Sequence, residues 1–145
     1  MIVTATQEHL VHLVRMAQIL SPRLSQSVLT VEMAEFLQAE KKCVFAELDS
    51  QGTPVGFAQC SVRTEPVAGC THTPVLYIDG LYVKPSERRR GIARRLLDAC
   101  EAWGREKGCA ELAAVCEQDK AAGQAAASAM GLDSVLEAVC LAKRL

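Results

Sequence analysis

The chain has 145 residues, the length of one compact domain, and half of them are hydrophobic. Sixteen Lys and Arg residues face seventeen Asp and Glu residues, so the formal net charge is −1. This balance argues against a general nucleic-acid or membrane-surface protein, because both classes need a basic excess. We therefore expect one domain over residues 1–145, with no nucleic-acid partner and no membrane partner.

Targeting and metal-binding signals are missing from the sequence. The first residues lack a basic stretch followed by an apolar one, so we expect no signal peptide and a cytoplasmic location. Seven cysteines are scattered without a C-x-x-C pair, and the three histidines have no zinc-site spacing. We expect no metal.

Helical periodicity marks the start of the chain. Apolar residues recur there at helical spacing, and they are Leu10, Leu13, Val14 and Ala17. This spacing predicts an amphipathic helix over residues 7–20. A second helix is predicted over residues 31–39, with Thr30 as its N-cap.

A hairpin and a third strand follow. Residues 43–48 and 54–62 are predicted strands joined by a turn at residues 49–52, and residues 64–74 are predicted to be a loop. Residues 75–83 give the strongest strand signal, although the pair Asp79-Gly80 interrupts it. A glycine inside a strand often marks a bulge or a close backbone approach.

The last part of the chain alternates between helix and strand. A helix of about four turns is predicted from the spacing of five side chains, which are Ile92, Leu96, Ala99, Cys100 and Trp103. Gly108 is its predicted C-terminal cap. A strand over residues 111–115, an alanine-rich helix over 121–129 and a final strand over 135–141 complete an α/β or α+β sandwich.

A basic cluster lies where the strongest strand leads into the long helix. Six of the sixteen basic residues fall there, namely Lys84, Arg88, Arg89, Arg90, Arg94 and Arg95. A helix N-terminus exposes unpaired N–H groups and carries about half a positive charge. Gly91 and the small Ala93 let an anion approach that backbone. The pattern predicts a pyrophosphate cradle, and a solvated basic helix start is the alternative.

The residues around this cluster resemble a known family. Leu81-Tyr82-Val83-Lys84-Pro85 followed by Arg88-Arg89-Arg90-Gly91-Ile92-Ala93 is similar to the acetyl-CoA-binding motif of the GNAT N-acetyltransferases. Further segments resemble the bacterial aminoglycoside 6'-N-acetyltransferases, and they are Gly69-Cys70, Pro74-Val75, Asp79-Gly80, Pro85-Ser86, Trp103-Gly104, Lys107-Gly108-Cys109 and Ala129-Met130-Gly131-Leu132.

This resemblance implies a fold and a cosubstrate. The implied fold is a mixed, mainly antiparallel sheet flanked by helices, with a splayed strand pair at the acetyl-CoA site. The implied cosubstrate is acetyl-CoA, whose pantetheine arm pairs with a strand and whose pyrophosphate lies in the following loop. The implied binding residues are Leu81, Tyr82, Val83, Arg88, Arg89, Arg90, Gly91, Ile92, Ala93 and Arg94.

The resemblance also implies where the acceptor lies. Asp79 is the expected catalytic carboxylate, which positions or deprotonates the acceptor amine; the alternative is an Asp that only caps a bulge. The chain departs from the subfamily at Val115, where an Asp is usual, and it has no tyrosine beyond Tyr82 to act as general acid. Other acids are candidates for binding the acceptor or are surface charges, namely Glu65, Glu117, Asp119 and Glu137.

The resulting expectation is an acetyl-CoA-dependent N-acetyltransferase acting on a primary amine. The favoured acceptor is the 6'-amine of an aminoglycoside antibiotic, which would make this a resistance activity. A different small amine, or a degenerate domain that binds acyl-CoA without transfer, are the alternatives. Members of the subfamily often form dimers through C-terminal strands, so a homodimer is expected.

Overall fold

A five-stranded sheet organises the first part of the chain in the computed structural model, which describes residues 1–116, 121–135 and 139–145. The chain divides into two units, Met1–Ala114 and Val115–Leu145, and the whole sheet lies in the first. The strands are β1 (Ile2–Thr4), β2 (Lys42–Leu48), β3 (Pro54–Arg63), β4 (Val75–Val83) and β5 (Glu111–Ala114).

The strands lie side by side in their sequence order. The first three pairings are antiparallel, and only β4 and β5 run parallel. The predicted mixed, mainly antiparallel sheet flanked by helices is confirmed. β1 was not predicted, because three residues are too few to show the alternation of a strand.

Helices α1 (Leu10–Leu20) and α2 (Gln26–Gln38) cover one face of the sheet. Their buried side chains form a core with those of β2, β3 and β4; its members include Leu13, Met16, Met33, Val44 and Phe57. The predicted start of α2 was wrong. Ser25 caps the helix by accepting a hydrogen bond from the Val28 N–H at 3.2 Å, whereas Thr30 lies inside and donates to the Gln26 carbonyl.

Helix α3 (Ile92–Glu106) packs against the sheet on the face where Cys43 and Cys60 meet Cys100. Hydrogen bonding among these three thiols, together with burial, raises the pKa of Cys43 and Cys60 far above the usual thiol range. They therefore stay protonated and pack as small apolar groups. A Cβ at Gly104 would lie 2.8 Å from the Leu76 side chain, so glycine allows α3 to approach β4 closely.

The second unit contains helix α4 (Ala121–Ala129), which confirms the predicted alanine-rich helix. Gly131, with a φ of 89°, ends it. The final strand predicted over residues 135–141 is not present in the described residues of that segment; residues 136–138 lie outside the described chain.

Membrane and metal features were also sought in the described ranges. No helix in them combines the length and the apolar composition that crossing a bilayer requires. Nor do three or more metal-ligating side chains cluster anywhere in the part of the chain that the structure describes.

Candidate active site

A bulge divides β4 into two halves at Asp79. Gln59 of β3 lies opposite Gly80 and Cys60 lies opposite Ile78, so Asp79 has no partner on β3. A Cβ at Gly80 would lie 2.9 Å from the Gln59 side-chain oxygen. The predicted bulge is therefore confirmed, and the extra residue is the acidic one.

The two halves of β4 also differ in their pairing with β5. Parallel pairing runs from Val75 to Ile78, where β5 ends at Ala114. Pairing with β3 continues to Val83, and residues 79–83 have no strand of the described chain on their other edge. β5 thus ends beside the first half of β4, and the splaying of the two strands that the resemblance implies stays a prediction.

The open edge of β4 carries hydrogen-bonding groups of the backbone. The Lys84 N–H donates to the Val55 carbonyl of β3 at 2.9 Å. Because these groups alternate in direction along an antiparallel strand, Leu81 and Val83 direct theirs to the opposite, open edge. An extended ligand can pair there as an added strand would.

The loop after β4 is held in an unusual backbone conformation. A 3₁₀ turn, Pro85–Glu87, leads to Arg89 with a φ of 65° and to Gly91 with a φ of 74°. The Arg88 Nε donates to the Val83 carbonyl at 2.9 Å, which ties the loop to the end of β4. Left-handed φ values disfavour side chains with a Cβ, so Arg89 is strained and Gly91 is not.

Gly91 is the N-cap of α3, and no side chain caps the helix. The N–H groups of its first turn, at Ile92, Ala93 and Arg94, are therefore available to an anion. Arg89 is exposed and makes no ion pair or hydrogen bond within the described residues, so its guanidinium is available as well. The predicted cofactor residues thus form one continuous strand, loop and helix start.

Two further arginines of the basic cluster, one in the loop and one in α3, form ion pairs on the surface. The Arg90 Nη1 lies 3.0 Å from a Glu87 carboxylate oxygen, and the Arg94 Nε lies 3.6 Å from an Asp98 oxygen. Exposed pairs of this kind contribute about 0–1 kcal/mol, so a phosphate can compete for both arginines.

Asp79 lies in a hydrogen-bonded cluster of side chains from β3 and β4. Its Oδ2 accepts a hydrogen bond from the Ser61 hydroxyl at 2.8 Å, and its Oδ1 lies 3.1 Å from the Arg63 Nη2. The Arg63 guanidinium also stacks 4.0 Å above the centre of the Tyr77 ring. The carboxylate is thus oriented by two donors, and one of them balances its charge.

Ser61 and Arg63 were missed by the sequence analysis. The two residues are two positions apart in β3, so their side chains lie on the same face of the sheet. Only the register between β3 and β4 places them beside Asp79. No local motif marks such residues.

Of the other predicted acceptor residues, only Glu65 lies in the part of the chain that the structure describes, and it does not join this cluster. Glu65 is exposed in the loop after β3 and makes no ion pair within the described residues. Glu117, Asp119 and Glu137 lie outside the described residues. Val115 follows β5 directly, and its side chain is exposed.

The loop between β3 and β4 is fastened by Glu111 at the start of β5. Its Oε1 accepts hydrogen bonds from the N–H groups of Thr71 and His72 at 2.8 and 2.7 Å. These donors, Thr71 first, lower the pKa of Glu111, so the carboxylate holds the loop throughout the neutral range. The loop is therefore held against the start of β5.

The site joins an open strand edge, an anion-binding helix start and an oriented carboxylate. This geometry is the one expected of a transferase domain that binds a long, phosphate-bearing cosubstrate. The chain belongs to the acetyltransferase (GNAT) family, whose model matches residues 13–132.

Its relatives include aminoglycoside N(6')-acetyltransferases type 1. The protein from Salmonella typhimurium is 34% identical over 110 residues, which cover 76% of this chain and 75% of that protein. The protein from Klebsiella aerogenes is 36% identical over 118 residues, which cover 79% and 76%.

A solved structure extends the similarity to the whole chain. The structure of AAC(6')-Iy in complex with the bisubstrate analogue CoA-S-monomethyl-acetylneamine has a TM-score of 0.92 and 30% identity. The match covers 100% of this chain and 98% of that one. The family match and the structural match therefore both include all the residues that form the site.

Proposed function

We propose that the protein transfers the acetyl group of acetyl-CoA to the 6'-amine of an aminoglycoside. The observation that carries this proposal is the open edge of β4 leading into the uncapped start of α3. It occurs in a chain that is similar to an aminoglycoside acetyltransferase whose structure contains a CoA-based bisubstrate analogue. Family membership alone supports acetyl transfer, and the named relatives support the acceptor.

The residues of this chain fit the cosubstrate. Leu81 offers its N–H and carbonyl, and Val83 its N–H, to the amides of the pantetheine arm, while the Val83 carbonyl already accepts a hydrogen bond from Arg88. The pyrophosphate fits the N–H groups from Gly91 onwards, with cations supplied from the set Arg88, Arg89, Arg90 and Arg94. An N–H of the open edge near Val83 is placed to stabilise an oxyanion at the thioester.

Transfer forms a carbon–nitrogen bond and breaks the carbon–sulfur bond of the thioester. The acceptor must first lose a proton, because an alkyl amine with a pKa near 10 is mostly ammonium at neutral pH. The leaving CoA thiolate takes up a proton and needs little acid help, since its thiol is similar to that of cysteine. The absence of a tyrosine beyond Tyr82 is therefore compatible with transfer.

Asp79 positions the acceptor amine in this proposal. Both of its oxygens already accept hydrogen bonds, from Ser61 and Arg63, and the Arg63 guanidinium balances the charge of the carboxylate. Its balanced charge also means that an ammonium gains little by binding there. The bound acceptor can therefore lose its proton more easily than it could beside an unbalanced carboxylate, and the neutral amine is the nucleophile.

A direct assay tests the acceptor. The protein is incubated with acetyl-CoA and two matched aminoglycosides, one with a 6'-amine and one with a 6'-hydroxyl, and products are measured by mass. We expect a single acetyl group on the first and none on the second. Product only on other amines would exclude the aminoglycoside. Binding of CoA without any product would favour the non-catalytic alternative.

Replacing Gly91 tests the anion site. Gly91→Val forces a branched side chain into a left-handed backbone at the phosphate cradle, so we expect the Kd for CoA to rise by about tenfold or more. Gly52→Val is the matched control, because Gly52 has a φ of 80° and nothing lies within 4 Å of its Cβ position. Calorimetric titration should show weaker CoA binding only for Gly91→Val, while both variants lose similar thermal stability. Equal CoA binding by both would contradict the proposed site.

Replacing Arg63 tests the role of Asp79. Arg63→Gln leaves the Asp79 charge unbalanced, so the ammonium form of the acceptor binds more tightly and reacts less readily. We expect KM for the amine and kcat to fall together, each by about three- to tenfold at pH 7, with the rise of kcat moved to higher pH. Arg63→Lys, which keeps the cation, should restore both constants. An unchanged KM with a lower kcat would exclude competition between Arg63 and the acceptor.

We also propose that the protein acts as a homodimer in the cytoplasm, where acetyl-CoA is available. Exposed apolar side chains near the C-terminus support the dimer: Val135, Val139 and Leu141 are 68, 81 and 90% exposed. Light scattering should give twice the 15.7 kDa chain mass at micromolar concentration. Leu141→Asp should lower that mass, and a monomeric wild-type protein would exclude the dimer.

A further inference from the structure

Glu47 belongs to β2, and its carboxylate is buried on the face of the sheet that α3 covers. Its side chain is 8% exposed, and its Oε1 lies 2.6 Å from the Arg95 Nη2 of α3. Its Oε2 lies 2.7 Å from the amino group of Met1. Burial alone would raise the pKa of Glu47, but these two cations lower it below the usual value. Glu47 is thus ionised and fixed at neutral pH.

Arg95 connects this carboxylate to the loop that precedes α3. Its other terminal nitrogen, Nη1, donates to the Arg90 carbonyl at 2.9 Å. The same nitrogen would lie 3.6 Å from a Cβ at Gly91, so the guanidinium lies directly against the loop. One side chain therefore joins β2 to the peptide between Arg90 and Gly91.

That peptide determines whether the loop presents a donor or an acceptor to a ligand. In a trans peptide the C=O and N–H point in opposite directions. Because Arg95 holds the Arg90 carbonyl on the protein side, the Gly91 N–H points to the other side. A flipped peptide would instead present a carbonyl oxygen, which repels phosphate.

The loop needs such a constraint because it is strained. Arg89 precedes this peptide by one residue and Gly91 contributes its N–H, and both residues have left-handed φ values. A non-glycine residue in that region is strained and persists only where its surroundings fix it. Hydrogen bonds from Arg95 to the loop and to Glu47 supply that fixation.

We infer that Glu47 and Arg95 are positioning residues for the pyrophosphate of CoA, holding the peptide between Arg90 and Gly91 with its N–H toward the ligand. The inference rests on the proposed function for its ligand. Neither residue touches the phosphates in this role. Arg95 thus differs from its neighbours in the basic cluster, which act through their own charges.

Glu47→Met separates positioning from simple electrostatics. Removing a negative charge beside the loop should tighten CoA binding if charge alone matters. Loss of the contact between Glu47 and Arg95 should instead weaken CoA binding if Arg95 must be held in place. We expect the Kd for CoA to rise by about tenfold in Glu47→Met and in Arg95→Met.

Pantetheine, which lacks the pyrophosphate, is the second ligand. Calorimetry with CoA and NMR titration with pantetheine, on protein tagged only at the C-terminus, give the two dissociation constants. We expect pantetheine to bind all variants equally, because the open edge of β4 is unchanged. Arg105→Met is the matched control: it removes another exposed arginine of α3, which lies 3.7 Å from Glu101, and it should leave both constants unchanged.

The outcomes distinguish this inference from the proposed function. Wild-type protein that does not bind CoA would exclude the proposed function itself. Wild-type CoA affinity in Glu47→Met or Arg95→Met would overturn the positioning role, as would an equal loss of both ligands, which indicates a general distortion. If Glu47→Met does not fold, Arg95→Lys takes its place, because lysine keeps the positive charge but has no planar group to bond the Arg90 carbonyl and Glu47 together. Weaker CoA binding by Arg95→Lys would support the positioning role, and unchanged binding would overturn it.

Discussion

β4 shares hydrogen bonds with β5 only from Val75 to Ile78, whereas its pairing with β3 continues to Val83. An unpaired strand edge is normally a liability, since it offers a template for association. Here the open edge leads directly into the uncapped start of α3, so that backbone donors continue from strand to helix. The early end of β5 therefore leaves an edge of β4 to which a long ligand can bind in the proposed function, and the bulge at Asp79 lies at the start of that edge.

The arginines of the basic cluster differ in their contacts, and the sequence alone does not show these differences. Arg88 is tied to the Val83 carbonyl, Arg95 to Glu47 and the Arg90 carbonyl, and Arg90 to Glu87, while Arg89 has no partner among the described residues. Some of these cations shape the loop and others remain available to a ligand. Counting charges would treat them alike, although their substitution should affect binding in different ways.

Sequence periodicity predicted the main helices and strands. It did not predict which side chains form hydrogen bonds at the site. The strand with an interruption at Asp79, the helix beginning at Ile92 and the glycine between them are local features, and all three were predicted correctly. Ser61 and Glu47 gave no signal, because their partners lie 18 and 48 residues away. Their roles depend on strand register and helix docking, which distant hydrophobic contacts determine.

The Arg63 contact bears on how an acetyltransferase can act on a polycation. Tight binding of an ammonium lowers KM but also stabilises the form of the amine that cannot attack. A carboxylate that is already balanced by Arg63 and oriented by Ser61 can guide the amine without holding its proton. The apolar Val115 adds no charge of its own to the end of β5. In the proposed function, affinity for the acceptor then has to come from its other amino groups, and the reacting amine is left free to lose its proton.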